Sequence, residues 1–213
     1  MENIILQQLL NRYSRINFLK EPIKDAVEMI VDSFRTGGKF LACGNGGSSA
    51  DADHIVGELM KGFEMKRSLE PSFQKTLDDI SPERGKLLAN NLQQGLPAIS
   101  LSAHTALTSA VSNDIGGDYI FAQQVIGYGN PGDVLLGLST SGNSRNVLDA
   151  LIVAKAKGLK TIGMTGETGG KMKEFCDVLI NVPEKRTAFV QELHLPVYHA
   201  MCLMIENEMF GMQ

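Results

Sequence analysis

Residues 43–59 read CGNGGSSADADHIVGEL, and within that run His54 and Glu58 stand four apart. On a helix this spacing puts an imidazole and a carboxylate on one face, in reach of each other or of a shared ligand. Near the other end of the chain, QELHLPVYH carries Gln191 and His199, eight apart and on roughly one side of a continuous helix. Such groups could move protons or ligate a cation. Taken alone, a satisfied surface His–Glu pair is the commoner explanation of such spacing. Pro196 interrupts the second segment, so that helix either kinks or begins near Leu195 with Gln191 in the preceding turn. Asp51 and Asp53 suit the opening of the first helix, where negative charge meets the positive end of the dipole. His104 and His194 have no motif support and read as structural or as supports to the residues of a site.

Three loops could hold an anion: GNGGSS (44–49), STSGNS (139–144) and TGETGG (165–170), each leaving an apolar run and opening a helix. In STSGNS the hydroxyls of Ser139, Thr140, Ser141 and Ser144, with the backbone N–H groups of the following helix, suit a phosphate dianion. An ordinary turn with Ser144 as N-cap is the plainer alternative. A second Gly/Ser loop opposite it favours phosphate. No GK[ST] follows and the glycine spacing is not that of a dinucleotide fingerprint, which argues against nucleotide hydrolysis and hydride transfer.

Stepping along the chain, apolar residues recur at helical spacing over 4–34, with a break expected near Glu21-Pro22. A short buried strand, KFLAC, runs into GNGG, and a helix follows over 48–63. Further strands are expected at PAISLS, DVLLGLS, KTIGMTG and DVLINV, separated by helices near 105–112, 118–128, 147–158 (closed by Gly158) and 170–175 and followed by a C-terminal helix ending near Phe210. Alternating apolar strands and helices imply an α/β fold: a parallel sheet covered on both faces, with ligands bound beyond the carboxyl ends of its strands. The stretch 64–95 is charged and sparsely apolar, which fits a solvated surface helix or, more sharply, a lid.

The length of 213 residues, 43% hydrophobic, fits one domain with one substantial core. A net charge of −4 gives no basic field for nucleic acid, so small-molecule chemistry is the better expectation. Cys43, Cys176 and Cys202 lack zinc-like spacing and sit beside apolar runs, as buried reduced thiols do. No basic leader precedes an apolar run and no stretch approaches about 18 consecutive apolar residues. A soluble, cytoplasmic protein with no membrane contact is expected.

GNGGSSADADHIVGEL, DVLLGLSTSGNS, TGETGGKM and VQELHLPVYH, in that order, resemble the sugar isomerase (SIS) domain family and, within it, the phosphoheptose isomerases. The resemblance spans nearly the whole chain. It implies a single SIS domain over 1–213: a five-stranded parallel sheet flanked by helices, a flavodoxin-like three-layer sandwich with N-terminal helices over 1–36 that take part in oligomerisation. It further implies a homotetramer with active sites between subunits. By matching position, Ser139, Thr140, Ser141 and Ser144 would hold the phosphate, and Asn45, Gly46, Gly47, Ser48, Asn113, Asp114 and Gln191 would contact the sugar. Glu58 and His199 match the family's acid/base pair. His54, Glu58, Gln191 and His199 match the residues around zinc in its metal-containing members.

The implied reaction interconverts a ketose phosphate and an aldose phosphate through an enediol, with sedoheptulose 7-phosphate and D-glycero-D-manno-heptose 7-phosphate as the expected pair. Two departures stand out. The basic residue that the family places three to four positions after the glutamate is here Lys61 or Gly62, and the acidic one three before the glutamine is Ala188. The alternative is a non-catalytic SIS protein that senses phosphosugars or binds a replication initiator; Glu58 and His199 would then have no task. A phosphosugar lyase or amino-sugar isomerase would use the same loops with other acid/base groups.

Overall fold

A computed structural model of the chain describes residues 3–211. Helix α1 (Ile4–Arg12) and a 3-10 stretch (Ser14–Leu19) lead into α2 (Lys20–Arg35), β1 (Phe40–Gly44) and α3 (Gly47–Met60). Helices α4 (Pro71–Ile80) and α5 (Pro82–Asn91) precede β2 (Ala98–Ser100), α6 (Thr105–Asp114) and α7 (Ile120–Tyr128). Then come β3 (Val134–Leu138), α8 (Arg145–Ala156), β4 (Lys160–Thr165), β5 (Val178–Asn181) and α9 (Thr187–Phe210). The five strands form one parallel sheet in the order β2-β1-β3-β4-β5. This is the flavodoxin-like doubly wound order, which reverses between β1 and β3 and leaves a crevice there at the strands' carboxyl ends.

The strands read as unbroken apolar runs because both faces are covered, and their alternation sorts two cores. Phe40, Ala42, Leu136 and Leu138 face the layer of α1, α2, α3 and α9. Leu41, Cys43 and Leu135 face α7 and α8, against Phe121, Val125, Val147 and Leu151. Cys43 and Cys202 are buried, Cys176 is half-buried, and all three are free thiols.

Several expectations need correction. The N-terminal break falls at Tyr13, not at Pro22, which lies in the first turn of α2. A first-turn N–H has no helical partner to lose, so proline is tolerated there. Helix α9 continues unbroken through Pro196. The cost of about 3 kcal/mol for an interior proline is offset by burial of Val190, Leu193, Val197, Met201 and Ile205 on that helix. On the N-terminal segment Leu6, Leu9, Ile16, Leu19, Ile23, Ile30 and Val31 are core residues, while Ile4 and Phe18 are exposed. Residues 64–95 are neither one surface helix nor wholly solvated: α4 and α5 pack on each other, Gly85 lying tight against the Leu77 backbone.

The base of that segment holds a buried polar fixture. Arg67 and Glu206 are 2% and 1% exposed. Arg67 Nε donates to Glu206 Oε1 at 2.8 Å, while its Nη1 and Nη2 donate to the Leu59 and Glu58 carbonyls at 2.7 and 3.1 Å. Glu206 accepts in addition from the backbone N–H groups of Phe63, Glu64 and Met65. Burial would raise this carboxyl, but the Glu64 and Phe63 N–H groups and Arg67 together hold it below its ordinary value.

Removing one member of this pair strands the other's charge, so Arg67→Met should cost about 3–5 kcal/mol in urea unfolding at neutral pH. Since the Glu206 pKa is depressed by folding, its stabilisation is present above the unfolded value of about 4.3 and fades as pH falls through the lower folded one. Unfolding midpoints taken down that range should decline less steeply in Glu206→Gln than in the unsubstituted protein.

Candidate active site

The loop after β1 turns on two glycines. Gly46 has φ +56°, a backbone that side chains resist, and caps α3. A methyl group on Gly47 would collide with the Gln191 amide. Gln191 therefore sits directly on the first turn of α3. Ser48 is buried, its N–H bonded to the Asn45 carbonyl. Asn45 and Asn146, at the start of α8, exchange two amide hydrogen bonds of 2.9 Å each, tying the β1 and β3 loops together across the crevice.

In the β3 loop, Ser139 is buried and its Oγ lies 2.9 Å from Ser144 Oγ and 3.5 Å from Ser141 Oγ. Ser144 occupies the N-cap position of α8, yet its hydroxyl does not cap the helix. The hydroxyls instead cluster together beside the helix N-terminus. The Thr140 carbonyl accepts from Gly166 N–H and the Gly142 carbonyl from Met172 N–H, so the third loop braces the second. Asn113 and Asp114 stand exposed at the end of α6, bonded to each other at 2.8 Å.

Two turns along α3, His54 Nε2 is 3.3 Å from Glu58 Oε1, and Lys61 Nζ is 3.0 Å from Glu58 Oε2. Lys61 thus supplies the positive charge beside Glu58; Gly62 supplies none. The His199 ring stands edge-on to His54 with centroids 4.9 Å apart. Burial and the nearby His54 hold His199 below the ordinary imidazole value, against the opposing pull of Glu58. Three of the four residues marked in the sequence are therefore neighbours. The fourth, Gln191, lies about 12 Å earlier along α9 by helical rise, against Gly47.

Asp51 does more than face solvent at a helix start. The Tyr198 hydroxyl donates to Asp51 Oδ1 at 3.2 Å and lies 3.1 Å from His54 Nδ1. Burial raises the Asp51 carboxyl, opposed by Tyr198 and His54. Burial, followed by the Asp51 charge, raises the Tyr198 phenol. His194 is fully buried with Nε2 at 3.2 Å from the Thr165 carbonyl, and burial pushes it down to about 4. His104 caps α6 through Nδ1. Both are structural.

The donors present have the nitrogen and oxygen chemistry that zinc accepts. His199 Nε2 is buried without a hydrogen-bond partner, and so is unspent. Among the described residues no three His, Cys, Asp or Glu side chains already stand close enough to hold an ion, so closing on one requires side-chain rotation. Asn146, Tyr198 and Arg67 were not marked by motif. Tyr198 had a faint signal, its place beside His199.

A hydroxyl-lined loop at the switch point of a doubly wound sheet, in a chain that also gathers His54, Glu58 and His199 on α3 and α9, suits a sugar-phosphate enzyme of the SIS class. The SIS domain family model matches residues 6–93 and 79–166. The phosphoheptose isomerase of Aliarcobacter butzleri (strain RM4018) is 37% identical over 98% of this chain and 99% of its own length. A solved phosphoheptose isomerase from Neisseria gonorrhoeae is 35% identical with a TM-score of 0.74, covering 94% of each chain. One from Francisella tularensis is 33% identical with a TM-score of 0.77, covering 92% of this chain and 91% of that one. The chain belongs to the phosphoheptose isomerase branch of the SIS-domain family, and is an aldose–ketose isomerase.

Gly47→Ala should leave far-UV circular dichroism unchanged while pushing Gln191 away from α3. Displacement of a positioning group by an ångström can cost about 10²-fold, and kcat/KM for isomerisation should fall on that scale.

Proposed function

We propose that the protein interconverts sedoheptulose 7-phosphate and D-glycero-D-manno-heptose 7-phosphate. The observations that support this reading are the gathering of Glu58 and His199 with His54 where α3 meets α9, and the cluster of Ser139, Ser141 and Ser144 hydroxyls after β3. Phosphate binding at the β3 loop anchors one end of the open-chain sugar, with Asn45, Ser48, Asn113, Asp114 and Gln191 as the hydroxyl-facing set. Glu58 removes the proton from the carbon next to the carbonyl. His199, held neutral by its surroundings, can both accept and give a proton, and moves one between the two oxygens of the enediol. A phosphosugar-sensing or initiator-binding role would leave this pair without work.

His54, Glu58, Gln191 and His199 are the side chains that would hold zinc, which when bound would polarise the sugar oxygens. We assign the protein to the cytoplasm; no helix among the described residues is long and apolar enough to cross a membrane. We also propose a homotetramer. Its support is the apolar surface of the α4–α5 hairpin, where Phe73, Ile80, Leu87 and Leu92 are exposed. Light scattering at micromolar concentration should give a tetramer mass; a monomer refutes this assignment.

Glu58→Gln keeps shape but cannot take the proton, so turnover of sedoheptulose 7-phosphate should vanish while phosphosugar binding persists. Ser141→Ala and Ser144→Ala should instead raise KM, each by the equivalent of about 1.5–3 kcal/mol, less than additively when combined. Full activity in Glu58→Gln, or unchanged affinity in the double serine variant, would overturn the respective role.

A further inference from the structure

We propose that Asn143 is a positioning residue for the substrate's phosphate, pinning the β3 loop to the loop after β4 and so holding Ser141 ready to donate. The inference deepens the phosphate reading given above and rests on it. It starts from TGETGG (165–170), which leaves an apolar strand as an anion-binding loop does, yet opens only the five-residue 3-10 stretch Gly170–Glu174. No α-helix follows whose N–H groups could face a ligand. Three N–H groups of this segment are spent on the β3 loop instead: Gly166 donates to the Thr140 carbonyl, Met172 to the Gly142 carbonyl and Lys171 to Asn143 Oδ1. The two loops approach so closely that a methyl group on Gly142 or on Gly170 would run into the backbone of the other loop.

Asn143 joins that contact to Ser141. Its Oδ1 accepts from Lys171 N–H at 3.1 Å, its Nδ2 donates to the Ser141 carbonyl at 2.8 Å, and its backbone N–H donates to Ser141 Oγ at 3.2 Å. A serine hydroxyl has one hydrogen to give. Ser141 Oγ is already accepting, and Ser139 Oγ at 3.5 Å is beyond an effective O–H···O bond, so the Ser141 hydrogen is left for a ligand. A phosphate dianion, which can only accept, suits it. Because the phosphate does not react, such a bond contributes equally before and during the chemistry, and loosening it shows in KM rather than in kcat.

The test compares the full-length protein with Asn143→Ala, Gly170→Ala, Ser141→Ala and the Asn143→Ala/Ser141→Ala double variant. The readouts are kcat and KM for sedoheptulose 7-phosphate and the Ki of inorganic phosphate as a competitor. Asn143→Ala should raise KM and Ki in parallel, each about tenfold, the low end for losing a hydrogen bond to a charged group, with kcat within about twofold. Gly170→Ala pushes on the same contact from the far side and should act alike; if it fails to fold, Asn143→Ala, whose side chain is exposed, carries the test. In the Ser141→Ala background Asn143→Ala should add no more than about twofold, since both act through one hydroxyl. An unchanged Ki, a loss confined to kcat, or a full tenfold rise in the Ser141→Ala background overturns the positioning role. If Ser141→Ala itself leaves Ki unchanged, the phosphate reading fails; if Ser141→Ala raises Ki and Asn143→Ala does not, that reading stands and the role of Asn143 falls.

Discussion

Helix α9 lies alongside α3 and runs in the same direction, and the site depends on the register between them. Contacts advance together along the pair: Gly47 meets Gln191, then Asp51 and His54 meet Tyr198, then His54 meets His199. At the far end Arg67 and Glu206 fasten the last turn of α3 to the last turns of α9. Sliding either helix by one turn would move every partner by about 5.4 Å. A glycine at the first contact allows the close approach, and a buried ion pair at the last makes any slip costly. An unbroken α9 through Pro196 is what lets Gln191 and His199 serve one surface.

The sheet supplies the second coordinate. Reversal of strand order between β1 and β3 opens the crevice, and paired register brings the ends of these strands level, Gly44 beside Leu138. The two loops that leave them are joined by the Asn45–Asn146 amide pair, and the loop after β4 is bonded to the back of the serine loop. A phosphate bound by such a braced loop contributes the same interaction before and during reaction. Binding energy from such a non-reacting group can be converted into orientation of the reacting end.

Much of this was legible in the sequence, for reasons that can be named. Strands such as DVLLGL are apolar throughout because both faces are covered, and the loops after them announce themselves by glycine and hydroxyl content. His54 and Glu58 declared a shared face through their spacing. What was not legible depends on how one helix is rotated against another. Tyr198 looks like one more core aromatic until α9 is placed on α3, and Asp51 looks like a helix-start acid until the phenol is found beside it. Arg67 sits in a charged stretch that reads as surface, and only the distant Glu206 makes its burial tolerable. Pro22 and Pro196 misled because local chemistry disfavours proline in helices, whereas a first-turn position in one case and extensive core packing in the other absorbed the cost.

The surroundings of Glu58 connect these observations. Both Glu58 oxygens have neighbours, Lys61 on one and His54 on the other. Lys61 is 58% exposed, and an exposed ammonium on a flexible stem is screened and loosely placed, unlike a planar guanidinium that can grip both oxygens of a carboxylate. Little of the orientation of Glu58 can then come from that side. It must come from the helix backbone, whose Glu58 and Leu59 carbonyls are gripped by Arg67, and from His54, whose ring is held by Tyr198 and through it by Asp51. The orientation of Glu58 is thus set by the α3–α9 contact itself.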